Sequence, residues 1–101
     1  MEEPAARRFK NNQENKALDA SRLIAEREKT HGSFAVQARV AQLIKAAIRE
    51  GLEGREVELP AAQQEALDLI ATKMGRIVAG DAGFKDHWDD IQGYARLGRG
   101  A

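Results

Sequence analysis

Between Ser33 and Gly51 the apolar residues Val36, Val40, Leu43, Ile44, Ala47 and Ile48 recur at steps of three and four. That period is one face of a helix and is incompatible with a strand, whose side chains alternate every second residue. Ser33 is placed to cap this helix and Gly51 to stop it. The same period precedes it from about Glu14, through Ala17, Leu18, Ala20, Leu23 and Ile24, and predicts a first helix ending at Gly32. Residues 51–59 carry two glycines and alternating charges, and read as a loop in which Val57 and Leu59 form at most a short extended stretch. Pro60 suits the first turn of a third helix of about twenty residues, with Leu67, Ile70, Met74, Ile77 and Val78 as its buried stripe and Gly80 at its end. After the turn GDAG, the residues Phe84, Trp88, Ile91 and Ala95 fall at i, i+4, i+7 and i+11, so a fourth helix is expected to pack Trp88 inward until Gly98. The expected fold is all-α: a compact antiparallel bundle of about four helices spanning residues 13–97, with a polar N-terminal arm over 1–12 and a frayed end over 98–101.

A chain of 101 residues has room for one modest core. Equal numbers of basic and acidic residues, 16 each, argue against a generic nucleic-acid or membrane binder. The absence of cysteine excludes thiol chemistry, and two histidines cannot make a multi-histidine metal site in one chain, so any metal would be held by oxygen. The start resembles no signal peptide and no run is long and apolar enough to span a bilayer, which makes a cytoplasmic protein the expectation. The charge is unevenly distributed: residues 1–49 hold ten Lys and Arg against six Asp and Glu, and residues 50–101 hold six against ten. Complementary packing explains such a split, and so does an acidic site in the second half.

The densest chemistry runs from Lys73 to Tyr94. On the fourth helix Asp86, Asp90, Gly93 and Leu97 form a second stripe, and a glycine inside a helix suggests close approach of a backbone or a ligand there. A hairpin about residues 80–83 brings Lys73 level with Asp90, and Arg76 near His87 and within reach of Asp86. One reading is a structural ion-pair cluster. The other is a phosphate and metal site, with Lys73 and Arg76 on phosphate oxygens, Asp86, Asp90, Glu65 and Asp68 around Mg²⁺, and His31, Asp89 and Tyr94 as additional candidates. His87 reads as an amphipathic boundary residue and Trp88 with Phe84 as core.

The run Glu26-Arg27-Glu28-Lys29-Thr30-His31-Gly32-Ser33-Phe34, then Leu59-Pro60, Lys73-Met74-Gly75-Arg76, and the ending Asp86-His87-Trp88-Asp89-Asp90-Ile91-Gln92-Gly93-Tyr94-Ala95, resembles an uncharacterised family of short phage and prophage all-α proteins. His31 stands where that family more often has tyrosine. More distantly, the basic helix followed by an aspartate-bearing helix is similar to the MazG-like nucleoside triphosphate pyrophosphohydrolases. The resemblance implies a MazG-like architecture, nucleotide as ligand, Mg²⁺ as cofactor and helix-borne carboxylates as its ligands. The acidic EExxE pair usual in MazG-like proteins is missing from the second helix, whose first acid is Glu50; Glu65-x-x-Asp68 and Asp86-x-x-x-Asp90 are the available substitutes.

Two functions follow as expectations. The first is a phage-type nucleotide-binding protein with Mg²⁺-dependent pyrophosphohydrolase-like activity. The second is a non-enzymatic adaptor or inhibitor that engages a host protein through its acidic stripe or through the basic arm of Arg7, Arg8 and Lys10. A homodimer using apolar surface of the first or second helix is expected under either.

Overall fold

The computed structural model describes residues 19–100. The expected arm over 1–12 and the start of the first helix lie outside the described residues. Four helices and no strand are present among them: α1 over 19–31, α2 Phe34–Glu53, α3 Ala61–Ala79 and α4 Lys85–Arg99. No helix in this range is long and apolar enough to cross a membrane.

Local chemistry sets the boundaries. Ser33 adopts an extended conformation ahead of α2, and its carbonyl accepts the first helical bond, from Gln37 N–H at 3.0 Å. Gly51 does not stop α2. The helix runs through it to Glu53, and the chain turns at Gly54, whose N–H donates to the Gly51 and Leu52 carbonyls. A single glycine costs a helix about 1 kcal/mol, too little to end one whose next turn still packs. Pro60 sits immediately before α3 and its carbonyl accepts from Gln63 and Gln64, while the Gln64 amide donates back to the Leu59 carbonyl at 2.6 Å. Residues 54–60 form the expected loop, with Val57 exposed.

α3 is central. It packs against both α2 and α4, which do not pack on each other. Both contacts are antiparallel: Gly75 meets Gln37 and Ala41 near the start of α2, and Ala66 meets Gly98 near the end of α4. Because α3 is approached from two sides, its buried residues are the small ones, Ala66 toward α4, Gly75 toward α2, and Ala71. This corrects the expected stripe. Ile70 and Ile77 are half-buried, while Leu67, Met74 and Val78 stay exposed. Only small side chains let two neighbours come this close: a Cβ on Gly75 would lie 2.5 Å from the Gln37 carbonyl oxygen.

The face of α4 is also shifted, from the row 84/88/91/95 to a row three residues further on. His87, Ile91, Tyr94 and Gly98, again at i, i+4, i+7 and i+11, are the half-buried to buried row, and Trp88 is 50% exposed. The indole instead lies along the outside and donates to the Ala82 carbonyl at 2.8 Å, closing the α3–α4 turn. Gly98 is part of the packing row, since a Cβ there would be 2.8 Å from that of Ala66, so α4 continues to Arg99. Gly93 is exposed with open space around it; no backbone approaches it.

These two glycines make a matched prediction. Gly75→Ala is expected to destabilise the fold by about 1–3 kcal/mol, because backbone must move to admit the methyl group. Gly93→Ala is expected to stabilise it by up to about 1 kcal/mol through helix propensity alone. Thermal unfolding followed by circular dichroism reads both signs.

Candidate functional site

The site is assembled where the α1–α2 turn meets the α3–α4 turn. Gly32 takes a left-handed conformation, φ 73°, and both Gly32 and Gly80 are so close to the opposing backbone that a Cβ on either would overlap it. The Asp81 N–H donates to the Thr30 carbonyl at 2.9 Å across this junction. His87 donates to the same carbonyl from Nε2 at 3.3 Å, since a carbonyl only accepts. One backbone oxygen therefore ties the end of α1 to the α3–α4 turn and to α4.

His87 is the most buried large side chain described, 1% exposed, and not the boundary residue the sequence suggested. It stands edge-on to His31, ring centroids 4.6 Å apart, and to Phe84, 4.8 Å. Its Nδ1 is buried without a hydrogen-bond partner. Leaving such an atom unpaired costs about 1–3 kcal/mol. The His31 ring is oriented by its neighbour: the Thr30 hydroxyl donates to the Arg27 carbonyl at 3.3 Å, so His31 Nδ1, 2.6 Å away, donates to that hydroxyl and Nε2 is the free acceptor of the neutral ring.

On the facing side of the junction the expected hairpin geometry is present. Lys73 Nζ lies 2.7 Å from Asp90 Oδ2, with the lysine side chain only 12% exposed. Arg76 Nε donates to Gln37 Oε1 at 3.3 Å. Around these groups is an open pocket of about 350 Å³. Its wall contains the cations Arg27, Lys73 and Arg76, the rings of His31, Phe84 and His87, and the carboxylates of Asp86 and Asp90. Among the described residues neither Arg27 nor Arg76 has a carboxylate within salt-bridge distance. A second pocket of about 320 Å³ adjoins it, sharing Arg27, His31 and Arg76 and adding the apolar side chains of Ile24 and Phe34.

The electrostatics follow from this lining. His31 is held below its ordinary value, first by partial burial and then by the positive charges of Arg76, His87, Lys73 and Arg27. Asp90 is also lowered, chiefly by the hydrogen bond from the Lys73 ammonium. Lys85, outside the pocket, is raised by its ion pair with Asp89 one turn along α4.

Of the residues expected at the site, Lys73, Arg76, Asp86, Asp90 and His31 come together. Glu65, Asp68, Asp89 and Tyr94 are not in the wall of this pocket. Glu65 is exposed and Tyr94 is half-buried in the α4 row toward α3. Among the described residues no group of three or more His, Asp and Glu side chains is arranged to hold a metal ion. Arg27 and Phe84 are site residues not expected from the sequence. Arg27 lies four residues before His31, the spacing that puts two side chains on one face of a helix, and that signal was there to be used.

Fold and site together define an all-α protein with a polar, cation-lined pocket at a junction of helix ends. Comparison with protein-family models, with curated proteins and with solved structures returns no match.

The lowered Asp90 carboxyl sets an acid limit. Its contribution is present above the ordinary carboxylate value of about 4 and is lost as pH falls through the lower folded value. Asp90→Asn is therefore expected to melt below the wild type at pH 6, with the gap closing as the pH falls past the ordinary carboxylate value and through the lower folded one. A gap that persists unchanged in acid would show that the pair contributes nothing.

Proposed function

We propose that this pocket binds the phosphate groups of a nucleotide. The observation that carries the reading is the convergence of Arg27, Lys73 and Arg76 from two helices on one polar pocket, two of them without a carboxylate partner among the described residues. Arginine forks match phosphate oxygens in pairs, and such charge-assisted bonds are the strong ones. The adjoining pocket, walled partly by Ile24 and Phe34, favours a nucleotide over a bare phosphate because it offers apolar surface one step from the cations.

Mg²⁺ enters this reading with the phosphates. In such sites the ion keeps most of its waters and takes one or two carboxylates from the protein, and Asp86 and Asp90 are the two that line the pocket. The similarity to MazG-like proteins points the same way, with cleavage of a nucleoside triphosphate as the corresponding activity. A phage-encoded role belongs to the same proposal.

Calorimetry against ribo- and deoxynucleotides, with and without Mg²⁺, tests binding, and release of pyrophosphate from the triphosphates tests cleavage. Arg76→Gln is expected to weaken binding about tenfold to a hundredfold, the loss of one charge-assisted bond, while circular dichroism stays helical. No binding at millimolar nucleotide by folded protein would sink the proposal and leave the adaptor reading.

His31 supplies a pH signature. Partial burial and then the cationic neighbours hold its pKa down, and a bound anion offsets the cations' share, so binding favours uptake of a proton. Sulfate, which does not titrate in this range, is expected to bind more tightly as pH falls from about 8 to 6, and His31→Gln to flatten that dependence. A flat profile for the wild type would remove His31 from the site.

A further inference from the structure

α2 carries two apolar rows side by side, and the fold uses one of them. Gln37, Ala41, Ile44 and Ile48 are buried or half-buried on the side of α3. Val36, Val40, Leu43 and Ala47 form the neighbouring row at the same i, i+4, i+7 and i+11 spacing. Val36 is 49% and Leu43 63% exposed, Ala47 is exposed and Val40 half-buried. Steps of four, three and four average about 3.7 residues, close to the period of the helix itself, so the row runs nearly straight along one face. The core of the single chain meanwhile holds, among the described residues, only Ala41, Ala66 and Ala71 as fully buried apolar side chains. No leucine, isoleucine, valine, methionine, phenylalanine or tryptophan is among them. The half-buried Ile44, Ile48, Ile70 and Ile77 complete a thin core, and covering a second apolar row would add to it.

We infer that the Val36/Val40/Leu43/Ala47 row is a dimer seam, on which α2 of a second copy of this chain packs antiparallel. The occupant is argued from charge along the seam's edge. Arg39 and Glu50 lie on the polar side of the row, eleven residues apart and almost symmetric about Leu43 to Ile44. In an antiparallel pair centred between Leu43 and Ile44, Val40 meets Ala47 of the partner subunit, and Arg39 comes within a turn of Glu50 of the partner subunit. A parallel pair would put Arg39 and Glu50 of the partner subunit on opposite edges of the seam, so neither charge would meet its opposite. The helix is thus complementary to itself in one direction only. The seam is on a different side of α2 from Gln37, so the dimer leaves the pocket of Arg27, Lys73 and Arg76 open and does not depend on its ligand.

The chain contains no cysteine, which makes the test direct. Sedimentation equilibrium is expected to give twice the chain mass at tens of micromolar, and Leu43→Glu, placed where the single chain exposes the side chain, to give the chain mass with helicity unchanged. Val57→Glu, equally exposed on the loop, is expected to leave the dimer intact. Leu43→Cys is expected to cross-link to itself on mild oxidation. Val36→Cys is expected not to, because antiparallel pairing centred between Leu43 and Ile44 separates the two copies of residue 36 by about 22 Å along the axis. Arg39→Glu and Glu50→Arg are each expected to raise the dimer dissociation constant about fivefold or more, and the double exchange to restore it. Wild-type protein that stays at the chain mass to several hundred micromolar overturns the inference, and so does a dimer that survives Leu43→Glu. Cross-linking through Val36→Cys but not Leu43→Cys overturns the antiparallel arrangement.

Discussion

The carbonyl oxygen of Thr30 is the point on which the site depends. It accepts from the Asp81 backbone and from His87 Nε2, so the last turn of α1, the α3–α4 turn and the first turn of α4 are held by one acceptor. Carbonyl oxygens have two lone pairs and can serve two donors at no extra desolvation, which makes the arrangement inexpensive once the backbones are close. Closeness is what Gly32 and Gly80 provide, since any side chain at either would collide with the facing main chain. With the junction closed, His87 is buried between His31 and Phe84, and the basic residues of α1 and α3 face the carboxylates of α4.

Central placement of α3 has a second consequence. A helix packed from two sides presents its smallest residues at the closest approaches, and Ala66, Ala71 and Gly75 are its buried positions. Larger apolar side chains are pushed to the margins of both contacts, where they are only partly covered. The chain therefore obtains close helix packing at the expense of apolar burial. The uncovered row on α2 and the cation-lined pocket are both products of this geometry, lying on different sides of the same layer.

Period was legible where one residue type dominated a face. The bounds of α2, α3 and α4 and the end of α1 were expected within a few residues, and the Lys73–Asp90 pair followed from counting equal steps away from the α3–α4 turn. Phase was harder to read. On α4 the row 84/88/91/95 looked apolar and the row 87/91/94/98 did not, because it begins on a histidine and ends on a glycine. Hydrophobicity ranks Trp88 above His87, yet His87 has a backbone carbonyl to satisfy it and Trp88 has one only at the rim. Gly51, Gly93 and Gly98 show the same limit: one continues a helix, one faces open space and one admits a neighbouring methyl group, and the letter is identical in each.

The amino-acid sequence by itself determined that the chain is helical, where its turns fall, and that Lys73, Arg76, Asp86 and Asp90 share one end of a hairpin. These depend on near neighbours, whose spacing along the chain is their spacing along a helix. Only the tertiary structure decided that α3 lies between α2 and α4, that His87 rather than Trp88 turns inward, and that Arg27 and His31 join the basic residues of α3 while Glu65 and Asp68 do not. Those outcomes depend on which backbones can approach most closely, and that is set by pairs of small residues, Gly32 with Ala79 and Gly75 with Ala41, far apart in sequence and unremarkable until they meet.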